Sequence, residues 1–300
     1  VVLDVSDKDT VSVFSNNIKG KYGFTKAGDG KLVLTGDNRY QGETIIQNGI
    51  LEINGNNASS AINLTGGELT GYGTTGSIKQ TGGAGNNEGN LSIHGSYTMN
   101  DDSTLKAKFG NLLNVTGRAQ VDGTLDLYDE IQKGLIKETG SKTTVLRAGE
   151  LSGNFDNVKS SNALFSIIKT EYSGRVGTDG KTTPNATTKT DVVVSAKRNK
   201  LTSMGSKSTA SIGRSAVEKN IDKVLNTLDV KDDVGTLTAH EMAFATGFAN
   251  KISMATNITK PYLPLILLFM PIMPSTPLNK AAPKQPTLPK IWQTLQMVYG

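Results

Sequence analysis

The 300-residue chain contains no cysteine, which excludes a disulfide framework and thiolate metal sites. Aromatic residues are scarce at 6%, so a core built from these strands must rely on small aliphatic side chains. Proline is nearly missing before Pro261, where eight of the nine prolines begin, and 32 of the 33 glycines lie at or before Gly247. No acidic residue follows Glu241, and the 59 residues beyond it carry five lysines. The net charge of +5 therefore belongs to that tail, because residues 1–241 hold 27 basic and 27 acidic side chains. A pI near 9.1 thus marks no basic folded face, and no nucleic-acid partner is expected. No apolar run reaches the ~20 residues of a spanning helix. The nearest, Tyr262 to Met273, is broken by Pro264 and Pro271. With neither an initiator Met nor a signal-like segment at Val1, the chain reads as a fragment or a mature product.

What is present is short alternation. Lys31 to Thr35, Thr44 to Gln47, Ile50 to Ile53, Ala61 to Leu64, Gly67 to Thr70, Leu91 to Ile93, Thr104 to Ala107, Leu112 to Val115, Thr124 to Leu127 and Thr143 to Leu146 each place apolar residues at every second position. That is the period of a strand with one buried face. Thr-Gly, Asn-Gly and Asp-Gly steps separate them, as turns require. Strands this short bury too little alone and gain a core by stacking on neighbours, which predicts a parallel β-solenoid over residues 1–200. An antiparallel sandwich could use the same strands. The expected inward residues are Leu32, Leu34, Ile45, Leu51, Val115, Leu125, Leu127 and Val145, with Gly28, Gly30, Gly36, Asn38, Gly42 and Gly49 at corners. Runs such as Asn54-Gly55-Asn56-Asn57 suit stacked polar ladders at corners.

The period then changes. Ile212, Ala216, Ile221, Val224, Leu225 and Leu228 recur at helical spacing, with Glu218, Lys219, Asp222 and Lys223 elsewhere on the surface. Asp229 to Gly235 is expected to interrupt the helix. Thr238 and Glu241 then make a capping box for a second one running through Met242, Ala245, Phe248 and Ile252. Residues 201–258 thus read as a linker with two helices. Residues 259–300 lose glycine and acids together while prolines recur every few residues, predicting a disordered tail. Its abrupt change of composition suits a sequence read out of frame; a natural proline-rich tail is the alternative.

One segment is more specific than its composition. Between Phe24 and Ile53 stand Lys26, Gly28, Gly30, Leu32, Leu34, Gly36, Asn38, Tyr40, Gly42, Thr44, Gly49 and Leu51. This pattern resembles the passenger-associated repeat of bacterial autotransporters, in which glycines and Asn38 would make corners, Leu32 and Leu34 would point inward, and Tyr40 and Thr44 would flank the next corner. Asn114-Val115-Thr116-Gly117, Gly123 to Leu127, Thr144 to Gly149 and Leu151 to Val158 are similar to the junction, or autochaperone, region that ends such passengers, about residues 90–200. Ser211 to Ile252 resembles the segment between passenger and barrel in subtilisin-like autotransporter proteases. The resemblance implies a right-handed parallel β-helix that promotes folding and secretion of an upstream serine protease domain at the cell surface. Its implied partners are that domain and an outer-membrane β-barrel translocator. The alternative is a surface adhesin whose β-helix itself binds a host ligand.

The chain offers no catalytic, cofactor or metal site. His94 sits at the end of a strand, most simply facing outward, and His240 in the first turn of a capped helix, with no convergent groups near either. Ser253-Met254-Ala255 resembles the subtilisin nucleophile motif, but Lys251 and Asn257 replace its glycine and proline. Gly71-Tyr72-Gly73-Thr74-Thr75-Gly76 matches G-x-G-x-x-G, yet Ser77 to Gln80 continues as strand where a dinucleotide site needs a helix. Gly180-Lys181-Thr182 lacks the first glycine of a P-loop, and Gly82 to Asn87 lacks the charged ligand of a calcium repeat.

Overall fold

The computed structural model describes residues 1–87, 90–127, 137–161, 165–174, 188–200, 212–236, 238–239 and 241. The described residues fall into two units, divided after Lys200. The first is a right-handed parallel β-solenoid with three faces. Its first sheet stacks β1 (Val2–Asp4), β4 (Phe24–Ala27), β7 (Thr44–Ile46), β10 (Ile62–Leu64), β13 (Ile78–Gln80), β16 (Tyr97–Met99), β19 (Arg118–Val121) and β22 (Glu150–Gly153). The second stacks β2 (Val11–Phe14), β5 (Lys31–Leu34), β8 (Ile50–Ile53), β11 (Glu68–Thr70), β14 (Ala84–Asn87), β17 (Thr104–Ala107), β20 (Thr124–Leu127) and β23 (Asn157–Ser160). The third runs through β9 (Asn56–Asn57), β12 (Thr74–Thr75), β15 (Ser92–Ile93), β18 (Leu113–Val115) and β21 (Ser141–Arg147). A short parallel pair, β3 (Lys19–Gly20) with β6 (Arg39–Tyr40), completes the earliest turns.

Each chain turn therefore lays one strand on each face, and residues in register share a column. In the second sheet the inward column reads Leu32, Leu51, Leu69, Gly85, Leu105 and Leu125. Gly85 interrupts it, and a cavity of about 20 Å³ lies there between Leu69, Leu105, Ile93 and Tyr97. Part of the missing side chain's place is taken by the Tyr97 hydroxyl, which donates to Gln80 Oε1 at 2.7 Å. A Cβ on Gly85 would meet these same atoms at 3.4 and 3.1 Å. Burial pushes the Tyr97 phenol well above its usual range, so it stays a donor.

Leu32, Leu34, Leu51, Val115, Leu125, Leu127 and Val145 are all buried. Ile45 is half-buried, whereas Thr44 and Ile46 are closed from solvent. The strand Thr44-Ile45-Ile46 fits either parity by hydrophobicity; the inner one wins because the Thr44 hydroxyl finds partners inside. Tyr40, 1% exposed, also lies in the bore and does not flank a corner.

The C-terminal end departs from parallel stacking. β25 (Asp191–Arg198) pairs antiparallel with β21, and β24 (Phe165–Ser173) pairs antiparallel with β25. Val192, Val194 and Ala196 of β25 are fully buried, so this hairpin covers an edge that would otherwise offer free N–H and C=O groups.

In the second unit α1 spans Ile212–Asp233. It continues through Asp229, since no proline or glycine interrupts it before Gly235, whose φ of 68° ends it. Leu225 and Leu228 are buried. So are Asp222 and Asp229, which the spacing places on the stripe of Leu225 and not elsewhere on the surface. The capping box forms: Glu241 N–H donates to Thr238 Oγ1 at 3.3 Å and Thr238 N–H to Glu241 Oε2 at 3.0 Å. The remainder of that second helix, His240, Ser253-Met254-Ala255 and the tail 259–300 lie outside the described residues.

Corners between the first and second sheets carry Asp101, Asp122 and Asp156. The neighbouring Asp122 carboxylate, with lesser help from burial and Asp101, raises the pKa of Asp156 above the usual 3.8. The folded state therefore binds that proton more tightly than the unfolded state. The resulting stabilisation is complete below pH 3.8 and is lost as pH rises through the raised value. Asp156→Asn should match wild type in Tm near pH 3 and exceed it at pH 7, as read by circular dichroism melts.

Candidate functional site

For a chain read as a stem, the functional parts are those that hold one turn on the next. Residues 24–53 show how. From Phe24 to Ile46 the even-numbered side chains Phe24, Lys26, Leu32, Leu34, Asn38, Tyr40, Thr44 and Ile46 are all buried. Parity is kept through the corners, because the glycines at 28, 30, 36 and 42 occupy the intervening even positions.

Two of the corner glycines illustrate why. A Cβ on Gly42 would fall 2.0 Å from Gly23 N in the preceding turn, so only hydrogen fits between the backbones. Gly49 has φ of 63°, and a Cβ there would lie 2.4 Å from both Gly28 O and Gly30 O.

Lys26 is 0% exposed and points inward below Ile46. Its ammonium donates to Ala27 O at 2.7 Å, Gly28 O at 2.8 Å and Asn48 O at 3.1 Å. All three donors are used, and two successive corners are tied together. Burial lowers the ammonium pKa, opposed by the nearby Asp4 and Asp29 carboxylates. Lys26→Met keeps the side-chain volume but takes the ammonium from Gly28 O and Asn48 O, while Ala27 O still accepts from Val5 N at 3.1 Å. It should cost about 3 kcal/mol, measured as a shift in the urea midpoint.

Further along, a polar relay crosses the bore. The Ser60 hydroxyl donates to Gly42 O at 2.8 Å, and so accepts from Thr44 Oγ1 at 2.9 Å. Thr44 in turn accepts from the Tyr40 hydroxyl at 2.6 Å, and Tyr40 accepts from Asn57 Nδ2 at 2.9 Å. Each hydroxyl has one hydrogen, so committing Ser60's to a carbonyl sets the direction of the whole chain. Asn38, read as a corner, is 1% exposed, and its Oδ1 accepts from Ile18 N of the preceding turn at 2.9 Å.

At the other end, Arg147 of β21 grips Asp191 of β25. Nη2 lies 2.6 Å from Oδ2 and Nε 3.0 Å from Oδ1, with Asp191 fully buried. Asp191 accepting these bonds raises the Arg147 pKa further. The Tyr172 hydroxyl accepts from Phe155 N at 2.7 Å, fastening β24 to the last turn.

Sequence reasoning missed Lys26, Asn57, Ser60, Arg147 and Asp191. The unbroken even parity could have revealed Lys26 and Tyr40; nothing in the sequence pairs Arg147 with Asp191. Among the described residues no group of three acidic, His or Cys side chains could hold a metal ion. His94 is exposed. Gly71 to Gly76 leads into β12 and β13 rather than a helix, so no helix N-terminus faces a pyrophosphate there.

Comparison with known proteins agrees with this architecture. Residues 24–53 match the Passenger-associated-transport-repeat family. Over 174 residues the chain is 31% identical to the Neisserial autotransporter lipoprotein NalP of Neisseria meningitidis serogroup B, covering 53% of this chain and 16% of that protein. Two extracellular serine proteases of Serratia marcescens are 42% identical over 66 residues and 36% identical over 85 residues. Those matches cover 22% and 27% of this chain and 6% and 8% of the relatives. The chain thus spans at most about a sixth of the length of these relatives.

Proposed function

We propose that this chain, which carries an autotransporter passenger repeat, is a non-catalytic β-helical stem that promotes folding and secretion of an upstream passenger domain. The observation that carries the reading is the closed C-terminal end of a column in which each turn rests on its neighbour. At the C-terminal end an antiparallel hairpin with a buried ion pair closes the third sheet. A closed end supplies a stable first turn on which further turns can stack, each needing only its neighbour. Stacking free energy released outside the cell then biases export, with no nucleotide consumed.

The upstream domain is a serine protease by the similarity to the Serratia enzymes, and the site of action is the cell surface, reached through a β-barrel translocator. In a parent protein bearing this stem, Val194→Asp in β25 should reduce passenger displayed on intact cells at equal total expression. The outward change His94→Ala should leave display unchanged. Full display by a Val194→Asp protein whose stem is shown to be unfolded would refute the reading.

A further inference from the structure

Three buried polar atoms in successive turns have no hydrogen-bond partner in the protein: Asn38 Nδ2, Asn57 Oδ1 and Thr75 Oγ1. The residues are 1%, 0% and 0% exposed. They share one column of the bore. Asp37 bridges Asn56 in parallel, placing Asn38 beside Asn57, and Asn57 is in register with Thr75. The other ends of the two amides are committed. Asn38 Oδ1 accepts from Ile18 N, and Asn57 Nδ2 donates into the Tyr40 relay whose direction Ser60 sets. Neither amide can flip without breaking a bond already made. The column therefore presents one donor, one acceptor and one hydroxyl that can serve as either.

Neighbouring strands stand ~4.8 Å apart. The three atoms make no direct bond across either step, and each step is the span one water bridges with two legs of ~2.8 Å. We propose that this column holds two internal waters, one accepting from Asn38 Nδ2 and donating to Asn57 Oδ1, the other donating to Asn57 Oδ1 and completing its shell at Thr75 Oγ1. The next residues of the column are Ile93 and Val115, so the hydrated stretch ends at Thr75. Such a site also fixes register. Slipping one turn would set the Asn57 amide against Ile93, where neither water nor protein can satisfy it.

Water-oxygen magnetic relaxation dispersion on the full chain tests this, with Thr75→Val as the near-isosteric variant. The expected result is one fewer long-lived water in Thr75→Val and a lower urea midpoint, although the variant is more apolar. An unchanged count, or a midpoint that rises because an orphan hydroxyl has been removed, would overturn the proposal. Cross-peaks between the Asn38 side-chain amide and long-lived water in wild type give a check that needs no variant; their absence would overturn it equally.

Discussion

Leu125→Asp should unfold the turns around it. Leu125 is 0% exposed and sits in register between Leu105 and Val158. Truncating its contacts forfeits roughly 2–3 kcal/mol of burial, and a carboxylate there would be desolvated between Leu105 and Val158. Together these should cost about 5 kcal/mol or more, close to the whole stability of a marginal domain. The adjacent Thr124 belongs to the same strand but is half-exposed on the opposite face. Thr124→Asp should therefore stay within about 0.5 kcal/mol of wild type. Urea unfolding of both variants checks the pair. Equal losses would mean that the strand parity assigned to β20 is wrong.

Asp191→Ala should destabilise the C-terminal end strongly. It removes the carboxylate from a pair in which Asp191 is fully buried and the Arg147 side chain is 25% exposed, taking from Arg147 its bonds to Asp191 and from the Thr190 hydroxyl this acceptor. Breaking a buried pair this way costs about 3 kcal/mol, the lower end of the range because Arg147 keeps some water. The double change Arg147→Met with Asp191→Leu should recover most of the loss, since the cost lies in the uncompensated charge. Amide exchange gives the spatial readout. Protection should fall in β21, β24 and β25 and persist in β5 and β8, because a stacked array loses stability locally. Uniform loss along the whole column would show instead that the hairpin controls every turn.

Most of the strands that sequence reasoning found are three or four residues long with clean alternation, such as Thr104–Ala107 and Thr124–Leu127. The two-residue strands Asn56–Asn57 and Thr74–Thr75 carry no apolar period and become visible only through their neighbours. Ile45 shows a different gap. Two adjacent isoleucines satisfy either face, and the choice falls to Thr44 because Tyr40 and Ser60 wait inside to bond it. The hairpin β24–β25 was hidden because an apolar run such as Val192-Val193-Val194 reads as strand without revealing its direction.

Local chemistry alone thus settled that the chain would alternate, turn at glycines and stack into a column. Those outcomes depend on period, on φ and on the shortage of large side chains, all of which are properties of neighbouring residues. Which polar groups enter the bore, where parallel stacking gives way to a hairpin, and how Arg147 meets Asp191 depend on residues far apart in the chain. A buried polar atom is tolerated only when its partner arrives, and that partner's arrival is decided by the register of one turn upon the next.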